Sequence, residues 1–153
     1  MTAVEALQRS TLFREFTETG LRIFAAVAQE KAIPAGTPLF VENMVGESLF
    51  IVKSGSVRIT QRGADGEREL GVLGAGEHLG ELAILGKSVR LVSAIAATPC
   101  EVLEIAQRDF ARLQPQKPQA CLKLALAIAA DIAAKVAGSR DLLRDLAARK
   151  PGA

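Results

Sequence analysis

The rhythm of apolar positions changes twice along the chain. Residues 3–28 have helical spacing: Leu12, Phe13 and Phe16 lie on one side of a short turn, and Thr17 is placed to cap a second helix whose buried stripe is Leu21, Phe24 and Val27 or Ala28. Pro34-Ala35-Gly36 then signals a turn, and from Thr37 onward the apolar runs are short and punctuated by glycine. They cover residues 39–41, 49–52, 57–59, 70–73, 91–96 and 102–105, separated by Gly46, Gly55, Gly63, Gly66 and the cluster Gly71, Gly74, Gly76. Val57 and Ile59 alternate with Arg58 and Thr60, the pattern of a strand with one dry face, and Asp65-Gly66 is a hairpin signal. Many short strands with glycine between them predict a small antiparallel barrel or jelly roll.

After Gln107 the helical period returns. Phe110 and Leu113 fit a short helix, and residues 114–118 (QPQKP) form a break too short for a domain linker. Residues 119–150 are alanine-rich, with Leu124, Ile128, Ile132 and Val136 at four-residue steps and Ala125, Ala129 and Ala133 beside them, a face that another helix can approach closely. Gly138-Ser139 interrupts this segment and Leu142, Leu143 and Leu146 resume an apolar face, so a kink or a second short helix is expected. The predicted class is α+β: a β-roll or jelly-roll barrel flanked by N-terminal helices and a long C-terminal helical segment. One domain over 1–153 is expected, with an N-terminal helical segment and first strand at 1–33, the roll at 34–106 and C-terminal helices at 107–150.

Composition narrows the function. A chain of 153 residues with 49% hydrophobic and 24% charged positions has the makings of one folded domain and not of a disordered segment. The net charge of +2 is spread along the sequence without a basic block, which argues against direct nucleic-acid binding and against attachment to an anionic membrane. The first ten residues have no secretory pattern, and the most apolar stretch, 124–134, is too short to span a bilayer and contains Asp131. Cys100 and Cys121 have no metal-binding spacing and are expected as packed, reduced thiols, consistent with a cytoplasmic address. A single histidine, His78, is too few for the metal-dependent enzymes built on small barrels or for a nucleophile-base-acid set, so no catalytic residue, metal or cofactor is assigned and no enzyme is expected. His78 itself is expected at a solvated strand edge.

The candidate chemistry lies in Gly80-Glu81-Leu82-Ala83 and in Arg90-Leu91-Val92-Ser93. Gly80 lets the backbone approach a ligand, residues 81–85 look like one helical turn whose first amides lack internal partners, and Arg90 offers a planar fork for an anion such as phosphate. Glu81 would be repelled by that anion, so it calls for a second ligand group that donates a hydrogen bond, and a ribose 2′-hydroxyl fits. Ser93 could add a hydroxyl contact to the phosphate, and Lys87 positive potential. Alternatively, Glu81 and Arg90 simply pair with each other on the surface of a turn.

Residues 78–85 (HLGELAIL) with Arg90 and Ser93 resemble the phosphate-binding cassette of the cyclic nucleotide-binding domain family, typified by the catabolite activator protein and the regulatory subunits of protein kinase A. The resemblance extends to residues 46–52 and 54–57, which match the family's strand and hairpin, and to 100–105, its last barrel strand; it covers about residues 12–136. It implies that Glu81 accepts from the ribose 2′-hydroxyl, that Arg90 pairs with the cyclic phosphate and that backbone groups at Leu82 and Ala83 complete the cradle, within a cassette at 79–93. It implies further that the C-terminal helix acts as lid and homodimer contact, and that an unidentified downstream protein reads its movement. Leu91 and Val92 stand where the family usually has small residues. Leu91 cannot donate the hydrogen bond that cGMP-selective members supply after the arginine, so cAMP is favoured over cGMP. Family members that regulate genes continue into a helix-turn-helix, and the chain ends about sixty residues short of one. A stand-alone sensor is therefore expected; the alternative is a degenerate module in which Leu91 and Val92 fill the pocket and the helix serves only for assembly.

Overall fold

The computed structural model describes residues 1–148. Thr2 opens helix α1 (Ala3–Arg9) with a capping box, its hydroxyl accepting from the Glu5 amide and the Glu5 carboxylate accepting from the Thr2 amide. The helical stretch expected over 3–28 is divided into pieces because side-chain oxygens compete for the backbone. Ser10 accepts from the Leu12 amide and starts a 3-10 turn (Thr11–Phe13), and Thr17 caps helix α2 (Glu18–Val27) through the Gly20 amide.

The chain then forms strands β1 (Gln29–Ile33), β2 (Pro38–Phe40), β3 (Val45–Gly46), β4 (Ser48–Ser54), β5 (Val57–Gly63), β6 (Gly66–Leu73) and β7 (His78–Leu79). A one-turn helix α3 (Leu82–Leu85) leads into β8 (Ser88–Val89), β9 (Ser93–Ala96) and β10 (Cys100–Ala106). Two antiparallel four-stranded sheets, in the orders β1-β10-β4-β7 and β2-β9-β5-β6, and the ribbon β3-β8 make the roll. The α+β β-roll expected from the strand pattern is present. Two differences concern its edges. β6 is an outer strand whose Leu70 and Val72 face solvent, and the strand expected over 91–96 begins only at Ser93, leaving Leu91 and Val92 in a turn.

β4 shows how the roll and the helices share one sheet. Its residues from Ser48 to Val52 are all buried because both faces are covered. Leu49 and Ile51 pack with Leu7, Phe13, Phe24, Leu124 and Ile128, whereas Phe50 and Val52 point into the roll with Val57, Leu79, Ala94 and Val102. β10 divides in the same way, Leu103 and Ile105 toward the helices and Val102 inside the roll. The period of two thus builds two cores on one sheet. Ile84 of α3 belongs to the helix-side core, which ties the turn at Gly80 to the C-terminal segment.

Helix α4 (Gln107–Leu113) and the break after it are followed by α5 (Pro118–Ala137), which starts on proline and buries Cys121, Leu124 and Ile128. Leu122 and Leu126 stand exposed on another face of α5. The interruption at Gly138-Ser139 separates α5 from a second short helix, α6 (Arg140–Ala148). The expectations for the side chains of Leu142 and Leu146 and for the helix end at 149–150 lie outside the described residues. Cys100 and Cys121 are buried free thiols, and burial pushes the Cys121 thiol up from its usual range. Among the described residues no helix is long and apolar enough to cross a membrane.

Candidate functional site

Arg90 is the unusual residue of the roll, a guanidinium only 7% exposed. Its backbone is clamped on both sides: the amide donates to Met44 O at 2.7 Å, and the carbonyl accepts from the Asn43 amide at 2.8 Å. The side chain donates from Nη2 to Ser48 O at 2.8 Å and from Nη1 to Gly80 O at 3.3 Å, with Cζ 4.1 Å above the Phe40 ring. Nε has no partner. Burial lowers the Arg90 pKa, opposed by Glu104, Glu47 and Glu81, but a guanidinium starts so high that it stays charged. Two carbonyls therefore orient a buried cation that keeps unspent N–H capacity, and such a group is complementary to an anion.

Gly80 makes the close approach possible. It has φ 77°, and a Cβ there would lie 2.4 Å from Arg90 Nη1 and 3.0 Å from Ser48 O. In α3, the Ala83 and Ile84 amides are taken by Gly80 O and Glu81 O at 3.2 and 3.1 Å. The amides of Glu81 and Leu82 have no acceptor among the described residues.

These groups border a cavity of about 240 Å³. Of the sequence-derived candidates, Gly80, Glu81, Leu82, Arg90, Leu91 and Val92 line it; Phe40, Ser88 and Val89 join them. Ala83 and Ser93 do not. Ala83 is fully buried with its amide committed, and Ser93 Oγ accepts from the Glu42 amide at 2.9 Å, fastening the loop after β2. Leu91 is 60% exposed at the rim, so it does not fill the hollow. Larger hollows exist, one of about 550 Å³ beside α5 and one of about 470 Å³ containing the Lys31–Glu104 ion pair. Neither has a buried cation beside unpaired amides, and chemistry outweighs volume in choosing the smaller one. Lys87 lines the 470 Å³ hollow and not the cavity under Arg90.

Glu81 does not pair with Arg90. Its carboxylate is 12% exposed and accepts from Lys135 Nζ on α5 at 3.3 Å. Lys135 also pairs with Asp131 at 2.9 Å, and Asp131 Oδ2 lies 3.1 Å from His78 Nε2. Burial alone would raise the Asp131 carboxyl, but hydrogen bonds from Lys135 and His78 outweigh it and hold the carboxyl below its ordinary value. Burial likewise works against the Lys135 ammonium, yet Asp131 and Glu81 raise it above its ordinary value. The expectation of a solvated His78 is corrected. It lies on the outer strand β7, as an edge residue, but is only 8% exposed, because Asp131 on α5 meets the ring.

Neither the aromatic support by Phe40 nor the contact with Ser48 was signalled by the sequence, since both come from strands far from the cassette. Asp131 and Lys135 are visible in the sequence as an i,i+4 pair on one helix face, but only the folded chain brings them to Glu81.

The sequence profile of the cyclic nucleotide-binding domain matches residues 30–116, and the chain belongs to that family. The cyclic AMP receptor protein of Thermus thermophilus is 31% identical over 124 residues, 80% of this chain and 57% of the receptor, so the chain spans little more than half the length of that relative. The N-terminal domain of a transcriptional regulator from Streptomyces coelicolor superposes with a TM-score of 0.78 at 26% identity, covering 89% of this chain and 98% of that one. The regulatory domain of Toxoplasma gondii protein kinase A, solved with cAMP, superposes at 0.66 with 32% identity over 72% of this chain and 42% of the other.

Proposed function

We propose that this protein is a cyclic nucleotide sensor with cAMP as its favoured ligand. The observation that carries the reading is Arg90: a buried, oriented guanidinium with an unpartnered Nε at a cavity bordered by the unpaired amides of Glu81 and Leu82. Arg90 and these amides receive the cyclic phosphate, and Glu81 accepts from the ribose 2′-hydroxyl. The cavity of about 240 Å³ sits just under the roughly 300 Å³ at the small end of ligand pockets, which suits one mononucleotide better than a cyclic dinucleotide. The position of Leu91 at the rim supports an open pocket over a filled one.

The output is a shift of α5 between two arrangements, read by a separate protein. Ligand biases that equilibrium only through its differential affinity for the two. The exposed Leu122 and Leu126, continued by Ala129 and Ala133 at heptad spacing, support a homodimer through α5.

Calorimetric titration with cAMP, cGMP and a cyclic dinucleotide tests the reading. Saturable binding of cAMP, weaker for cGMP and lost in Arg90→Ala, is expected. No heat from any of the three would overturn it and leave an interaction module.

A further inference from the structure

Lys135 occupies a place that the nucleotide reading leaves unexplained. His78, Glu81 and Asp131 present ligand atoms within 4.8 Å of one another, the arrangement of a small cation site. The protein supplies the cation itself: the Lys135 ammonium contacts both Glu81, at 3.3 Å, and Asp131, at 2.9 Å. Asp131 is in turn fixed by His78 from β7. The four groups form a chain of polar contacts running from the sheet to α5 and back to the cassette, and the carboxylate at its end is the one assigned to the ribose.

We propose that Lys135 is a latch that holds α5 against the cassette in the ligand-free protein and competes with the nucleotide for Glu81. The proposal rests on the cyclic nucleotide reading of that site. An ammonium already bound to a carboxylate weakens it as an acceptor, because the incoming hydroxyl must share or displace a stronger, charge-assisted partner. When the ribose engages Glu81, Lys135 loses one of its two anchors and α5 loses its ion pair to the start of α3, keeping only the apolar contact with Ile84. The Lys135 side chain is 61% exposed, so water can take it up at modest cost, and the latch is a weak one, as a reversible switch requires. His78 and Asp131 aim the lysine; they do not meet the ligand.

The competing possibility is that Lys135 attracts the anionic ligand and assists its binding. The two have opposite signatures. Removing the charge with Lys135→Met tightens cAMP about two- to fivefold if the lysine competes, and weakens it if the lysine assists. The test combines that titration with amide hydrogen exchange of the ligand-free protein, using the full chain. In Lys135→Met, amides of residues 131–137 are expected to exchange faster than in wild type; Lys135→Arg, which keeps the charge, restores wild-type exchange and affinity. In Glu81→Gln, adding Lys135→Met produces little further change in exchange.

Unchanged or weaker cAMP binding by Lys135→Met, or unchanged exchange in α5, overturns the latch. If wild-type protein binds no cyclic nucleotide, the nucleotide reading fails and with it the competition, while the exchange comparison still decides whether Lys135 anchors α5.

Discussion

Arg90 is the residue on which the proposed recognition turns. Desolvating a guanidinium is costly unless its donors are met, and the fold meets two of them with carbonyls while leaving the buried Nε without a partner among the described residues. One charge-assisted hydrogen bond contributes about 1.5–3 kcal/mol, so Arg90→Ala should weaken cAMP roughly ten- to a hundredfold by calorimetry. Arg90→Lys keeps the charge but cannot reach Ser48 O, Gly80 O and a phosphate with one ammonium, so we expect it to recover only a small part of the loss. Gly80→Ala places a methyl 2.4 Å from Arg90 Nη1 at a φ that adds about 1–2 kcal/mol of strain; denaturant unfolding should show lower stability, and titration a loss of binding. Gly80, Glu81 and Arg90 were singled out in the sequence by their residue types and by the family resemblance of their joint spacing, and the structure brings them to one cavity, while Ala83 and Ser93 lie outside it. Phe40 was not, since an aromatic in an apolar run is indistinguishable from ordinary core.

At the scale of elements, α5 and the cassette are joined by polar and apolar contacts at once. Ile84 of α3 shares a core with Leu124 and Ile128, while Lys135 bridges Asp131 to Glu81. Ile128→Ala should cost about 2–5 kcal/mol in global unfolding, the usual range for a buried isoleucine. The polar part has its own pH window. The Asp131 carboxyl is depressed in the folded chain, so its contribution is present above its unfolded pKa and lost as pH falls through the lower folded value. The Lys135 ammonium is raised, so its contribution is present below its unfolded pKa and lost as pH rises through the higher folded value. Protection of α5 amides, taken relative to intrinsic exchange at each pH, should therefore be greatest near neutrality and fall toward both extremes, with the acid limb removed in Asp131→Asn. The sequence predicted the stripe of α5 from its four-residue steps. The edge position of His78 was read from the sequence, but its burial was hidden, because the helix that covers the ring comes from 53 residues further along the chain.

For the whole molecule, the two-core arrangement gives the proposed sensor a route from the roll to the helices. β4 and β10 each present one face to the roll and the other to the helical core, so the sheet is a shared wall. The roll was legible because its strands alternate and are bounded by glycine, and the start of α2 was marked by Thr17, whereas the break at Ser10 was not read from the sequence. The edge position of β6 was less so, since the apolar run at 70–73 reads as buried until its sheet neighbours are known. Leu126 is exposed on α5, and if the proposed homodimer forms through this helix, Leu126→Glu should convert it to a monomer in sedimentation analysis with little change in thermal stability of the subunit.

A crystal structure of the protein with cAMP addresses the central assignment most directly. We expect the cyclic phosphate within hydrogen-bonding distance of the Arg90 guanidinium and of the Glu81 and Leu82 amides, with the ribose on Glu81. Nucleotide bound elsewhere, or Leu91 and Val92 folded into the cavity with Arg90 still covered, would contradict it.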